Sequence, residues 1–177
     1  HGKISIRDLI HDSSVFIGTI PKNITIGRKY TTSVGIGALS SLTSGESNSA
    51  FGSKALYSNT IGVDNNAFGS WALYNNTIGY NNSAFGSGSL YLNTTGKNNT
   101  ALGYGAGVNI LTGDSNVIIG YLAEASSNAN NQIVIGARAT GMGDSTVTLG
   151  DSLTIQRTYL HGKISIRDLI HDSSVFI

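Results

Sequence analysis

Residues 48–115 read NSAFGSKALYSNTIGVD (48–64), NNAFGSWALYNNTIGYN (65–81), NSAFGSGSLYLNTTGKN (82–98) and NTALGYGAGVNILTGDS (99–115), four copies of one 17-residue unit. Each copy opens on Asn, with Ala two residues later, then Phe or Leu, then Gly; a second Gly closes it at Gly62, Gly79, Gly96 and Gly113. Fixed apolar and glycine positions at a short period are the mark of a solenoid, in which each unit stacks on the last. Two glycines per unit, with Asn-Thr and Asn-Asn pairs between them, would break a helix repeatedly. Short strands joined by turns fit the spacing. The expected class is all-β, a parallel β-solenoid.

Stacking in 17-residue steps sets like above like. Asn48, Asn65, Asn82, Asn99 and Asn116 then form an Asn ladder whose amides bond to one another or to the turns, which offsets their burial. The residue before the first Gly is expected to face the core, giving a structural ladder of Phe51, Phe68, Phe85, Leu102, Ile119, Ile135 and Leu149. A Leu-Tyr pair follows at Leu56-Tyr57, Leu73-Tyr74 and Leu90-Tyr91. So thin a core gains little against the entropy of ordering the backbone. Such a coil is expected to pack against other chains as well as its own neighbours.

The apolar-Gly element recurs outside the central block as SVFIG (14–18), NITIG (23–27), SVGIG (33–37), NVIIG (116–120), QIVIG (132–136) and TVTLG (146–150). This predicts a roll of about ten coils over residues 14–150, starting at 14, 23, 33, 48, 65, 82, 99, 116, 132 and 146. Residues 151–173 break the pattern and read as a spacer, carrying Arg157, Lys163, Arg167 and Asp168. Residues 1–17, HGKISIRDLIHDSSVFI, return letter for letter as 161–177. The expectation is a tandem array of period 160, with 1–13 the end of a preceding spacer and 174–177 the start of the next copy.

Composition narrows the function classes. The net charge is +1 and only 12% of residues are charged, so no surplus points to nucleic acid or an anionic membrane surface. Between 48 and 115 the charges are Lys54, Asp64, Lys97 and Asp114 alone. The absence of Cys excludes a disulfide scaffold, and no apolar run is long enough to insert as a membrane helix.

The pattern N-x-A-[FL]-G followed by A-L-Y and N-T-T-G resembles the head repeats of trimeric autotransporter adhesins. It is also similar to the β-roll segments of phage and virus tail fibres that end in an endosialidase-type chaperone domain; VTLGDSLTIQRTYLHGKISI (147–166) resembles the tail-fibre version. The resemblance covers most of residues 14–166 and rests on the recurrence of the unit rather than on any single match. It implies a left-handed parallel β-roll assembled as a homotrimer and used for surface display or adhesion. The 17-residue central coils depart from the shorter coils of the adhesin heads.

Each candidate site has a simpler explanation. His11-Asp12-Ser13 holds the letters of a catalytic triad, but adjacent residues cannot converge as a triad must. His161 and His171 have no carboxylate or Cys at ligand spacing, so no metal or other cofactor is expected. Gly103-Tyr104-Gly105-Ala106-Gly107 falls on the repeat's own turn, with no helix or Lys to make it a phosphate loop. The sequons at Asn23, Asn75, Asn81, Asn93 and Asn98 are what an Asn/Thr-rich repeat generates in any case. Tyr57, Trp71, Tyr74 and Tyr91 are candidate lateral contacts, either with a sugar or within a trimer.

No feature supports an enzyme. The leading expectation is a structural segment of an extracellular, cell-surface or virion-surface fibre that continues end to end as a homotrimer. The alternative is an adhesin segment whose lateral surface binds host glycan or matrix. Ice binding is disfavoured, because Thr60, Thr77 and Thr94 do not form Thr-x-Thr stacks.

Overall fold

The computed structural model describes residues 14–21 and 30–151. The NITIG coil at 23–27, most of the 151–173 spacer, the duplicated letters at 1–13 and 161–177, and His11, His161 and His171 lie outside the described residues.

Among the described residues, nine short strands make one parallel sheet: β1 (Val15–Gly18), β2 (Thr32–Gly35), β3 (Ser49–Phe51), β4 (Asn66–Phe68), β5 (Ser83–Phe85), β6 (Thr100–Leu102), β7 (Val117–Ile119), β8 (Ile133–Ile135) and β9 (Val147–Leu149). They pair strictly in chain order, so each coil of a β-solenoid lies between the coil before it and the coil after. The register advances by 17 residues from Val15 to Thr32, Ser49, Asn66, Ser83, Thr100 and Val117, then by 16 to Ile133 and 14 to Val147.

The front of the roll is therefore more regular than its sequence suggests. β1 pairs directly with β2, so the short steps expected between 14, 23 and 33 are one step of 17. Gly35, not Gly37, is the partner of Gly18. The apparent SVGIG unit is displaced by two residues because both glycines follow an apolar residue, and only the pairing separates them.

The second correction concerns the core. Phe51, Phe68, Phe85, Leu102, Ile119, Ile135 and Leu149 do not point inward: Phe85 is 41% exposed and Leu102 51%, and the others are half-buried or exposed. The inward residues are their neighbours Ala50, Ala67, Ala84, Ala101, Ile118 and Val134, all fully buried. Strand side chains alternate between faces, so the buried Asn at the strand entrance and the Ala two residues on share the inner face while Phe takes the outer one. In the central coils, where a buried Leu shares the interior, that inner position holds only a methyl group; Phe16, Ile118 and Val134 take it in the outer coils. Opposite the alanines stand Leu39, Leu56, Leu73 and Leu90, fully buried and each held at φ 51°.

Volume is conserved where the pattern changes. Gly107 takes the place of the next Leu, and a Cβ there would lie 3.0 Å from Leu90 and 3.3 Å from Ile118. Ile118, in place of Ala, and Ile110, in place of the Asn at position 93 one coil earlier, fill the space, which keeps the interior close-packed.

The first glycine of each coil is obligatory. At Gly69 φ is 142°, and a Cβ would stand 2.5 Å from the carbonyl of Gly86. Gly88 is different: it has φ 68°, a Cβ would meet nothing within 4 Å, and Lys54 and Trp71 adopt the same backbone at φ 56° and 63°. Gly69→Ala should therefore block folding of the central coils, whereas Gly88→Ala should cost within about 1 kcal/mol. Leu73→Ala should cost about 2–5 kcal/mol as a core truncation. Denaturant unfolding followed by circular dichroism orders the three.

Candidate functional site

The inner polar residues form two ladders. In the first, Asn48, Asn65, Asn82, Asn99 and Asn116 are all fully buried. Asn65 Nδ2 donates to Asn48 Oδ1 at 3.2 Å and to the Gly79 carbonyl at 2.8 Å, while the Asn65 backbone N–H donates to the same Asn48 oxygen at 3.1 Å. Asn82 repeats this on Asn65 and Gly96. The ladder continues beyond Asn116 into Gln132, whose longer side chain reaches the Gly143 carbonyl at 2.5 Å where the coil shortens.

The sequence reading missed the second ladder, Asn59, Asn76 and Asn93, also fully buried. Asn76 Nδ2 donates to Asn59 Oδ1 at 3.0 Å and Asn93 Nδ2 to Asn76 Oδ1 at 2.8 Å. Each also donates to the closing glycine of its own coil, Gly79 or Gly96, at 3.1 Å. Its 17-residue spacing was visible, but Ile110 interrupts it and leaves Asn93 Oδ1 buried without a partner.

These ladders settle two of the candidates. The Asn93 amide is inside, spent on Asn76 and Gly96, so that sequon is closed to glycosylation in the folded coil; Asn81 and Asn98 are exposed and Asn75 is half-buried. Gly103, Gly105 and Gly107 occupy three different columns of the repeat, and Gly103 lies against the Gly120 carbonyl, which leaves no nest of amides for a phosphate.

The outer face of the sheet carries the feature with most consequence. Ile17, Val34, Phe51, Phe68, Phe85, Leu102, Ile119, Ile135 and Leu149 stand in one column across all nine strands. The rings stack at strand spacing: Phe51 to Phe68 at 4.8 Å and Phe68 to Phe85 at 5.0 Å, with planes within 8°. The neighbouring outer column is polar in its middle, at Ser49, Asn66, Ser83 and Thr100. One apolar stripe thus runs the length of the sheet, a single residue wide over β3–β6 and two wide at β7–β9, where Val117, Ile133 and Val147 stand beside it.

On the turns, Tyr57, Tyr74 and Tyr91 are half-buried and stack at 5.1 and 5.2 Å. Trp71 is 48% exposed and leans on Tyr74 and Tyr91, with the Lys54 ammonium 5.9 Å from its ring centre. The four candidate lateral residues are therefore brought together. The Thr43, Thr60 and Thr77 hydroxyls donate to carbonyls of the next coil, so they are not free to order water as donors.

Charge contributes little. The Lys97 ammonium lies 3.7 Å from Asp114 and 5.6 Å from the centre of the Tyr80 ring. Its pKa is raised above the ordinary lysine value, first by a hydrogen bond with Tyr80, then by the charges of Tyr80 and Asp114. A raised cationic pKa makes this contribution complete below the unfolded value and lost as pH rises through the folded one, well into the alkaline range. Among the described residues no group of three or more His, Cys, Asp or Glu could hold a metal, and no helix is long and apolar enough to cross a membrane. No protein-family model, curated protein or solved structure matches the chain.

Asn76→Ala should cost about 1–3 kcal/mol for each buried group it strands. The exposed Asn81→Ala should stay within about 0.5 kcal/mol. Paired denaturation curves of the two variants measure the worth of the inner ladder.

Proposed function

We propose that the chain is a structural segment of an extracellular or virion-surface fibre, a left-handed β-roll that assembles as a homotrimer and continues end to end through tandem 160-residue repeats. It performs no chemistry of its own. The outer apolar column carries this reading. Exposed apolar surface is costly unless it is an interface, and this stripe persists through nine strands while coil length falls from 17 to 14 residues. Over β3–β6 the stripe is one residue wide, which suits a three-fold axis where each chain contributes one column. A face-to-face dimer would also bury the polar Ser49, Asn66, Ser83 and Thr100. The letters shared by 1–17 and 161–177 support the tandem arrangement.

Native mass measurement should report three chains. Phe68→Asp combined with Leu102→Asp should give a single chain that keeps its β signature in circular dichroism. A wild-type monomer ends the trimer reading. Images of the native fibre should carry an axial repeat of roughly 50–90 Å, from nine coils at about 4.8 Å rise plus the intervening spacer.

A second reading, an adhesin segment whose lateral surface binds glycan or matrix, is favoured by the half-exposed Trp71 beside the stacked tyrosines.

A further inference from the structure

The column of turn residues that holds Lys54 and Trp71 goes on to Gly88 and Gly105 before a side chain returns at Leu122. Two successive coils thus lack the side chain that their neighbours carry. The gap is a notch of about 400 Å³ walled by Trp71 and Leu122, with Tyr91, Tyr104 and Ser87 among its lining. Tyr104 is 58% exposed, so its ring is open to solvent at the rim. Lys54, the cation nearest Trp71, comes from the coil on the side away from the notch.

We propose that this notch is a carbohydrate subsite that takes the ring of one neutral hexopyranose. The lining chemistry selects that occupant. No charged residue lines it, which disfavours phosphate, sialic acid or a charged peptide. Aromatic rings supply flat apolar surface for the C–H face of a sugar, and Tyr91, Tyr104 and Ser87 among the lining residues carry the hydroxyls that contacts to its edge need. The Ser87 hydroxyl already donates to the Ser70 carbonyl and is left as an acceptor, the partner a sugar hydroxyl needs. The volume lies at the small end of ligand pockets, as one ring requires. None of the lining residues belongs to a strand, so the subsite and the apolar column are separate surfaces. The inference rests on the second reading above and is independent of the trimer.

Trp71 is the chain's one tryptophan, so its emission reports the notch without interference. The 177-residue chain would be titrated with methyl β-galactoside, methyl β-glucoside and N-acetylglucosamine. Trp71 emission and saturation-transfer NMR of each sugar would be recorded together. Expected are a saturable blue shift in the millimolar range and saturation transfer for at least one of the three sugars. Gly88→Leu should abolish both with its thermal midpoint kept, since Leu122 holds the same turn at φ 50° and a Cβ on Gly88 meets nothing. Trp71→Ala should abolish the transfer as well. Transfer that persists in Gly88→Leu, or appears without a Trp71 response, overturns the notch while leaving lateral glycan binding standing. No transfer from any of the three sugars overturns the notch as a hexopyranose subsite and leaves lateral binding of matrix standing. A blue shift that follows protein concentration without sugar makes the notch a contact between copies, and also overturns the proposal.

Discussion

The closing glycine of the first three central coils offers one carbonyl to two asparagines. Gly79 accepts from Asn65 at 2.8 Å and from Asn76 at 3.1 Å; Gly62 and Gly96 do the same for their own coils. This three-way junction joins the strand entrance to the turn that closes the same coil. A side chain on Gly79 would have its Cβ 2.3 Å from Asn76 Oδ1 and 2.4 Å from the Gly96 carbonyl, so glycine is what lets successive coils touch here. Both lone pairs of the carbonyl are used, and both amides are satisfied away from water, which is why so polar an interior is tolerated.

Inside and outside consequently follow different rules. Inner positions are limited by volume and by hydrogen bonding, and they vary little: Asn, Ala, Leu and Gly recur until Gly107, Ile110 and Ile118 change together. Outer positions are limited by the strand register alone. The column before the first glycine accepts Ile, Val, Phe or Leu, and the turn column accepts Lys, Trp, Gly, Leu or Arg on one backbone conformation. Both candidate surfaces, the apolar stripe and the notch, are written in these permissive columns.

That contrast explains what the sequence made legible. The period, the parallel stacking and the first Asn ladder follow from spacing, because a 17-residue repeat with two fixed glycines leaves few other structures. The facing of Phe68 did not follow from the rule that large apolar residues lie inside. The better guide was size restriction: Ala50, Ala67, Ala84 and Ala101 never vary in the central copies, while Phe gives way to Leu beside them. The second Asn ladder was masked by Ile110, and the register at the front by a spare glycine at Gly37. The notch was least visible, since a pair of glycines reads as a turn until its neighbours are seen in space.

The side-chain amide bonds within the two buried ladders all point one way. Asn65 donates to Asn48, Asn82 to Asn65, Asn116 to Asn99, Asn76 to Asn59 and Asn93 to Asn76. In these ladders the later coil brings the donor and the earlier coil holds the acceptor, so each ladder has a head and a tail like a polarised rod. Ile110 ends one such line and leaves an acceptor, Asn93 Oδ1, facing the later coil. A chain that folded from its amino end would present, in each ladder, a preformed oxygen to the segment arriving next. Built in that direction, each finished layer would be the template on which the following one is laid.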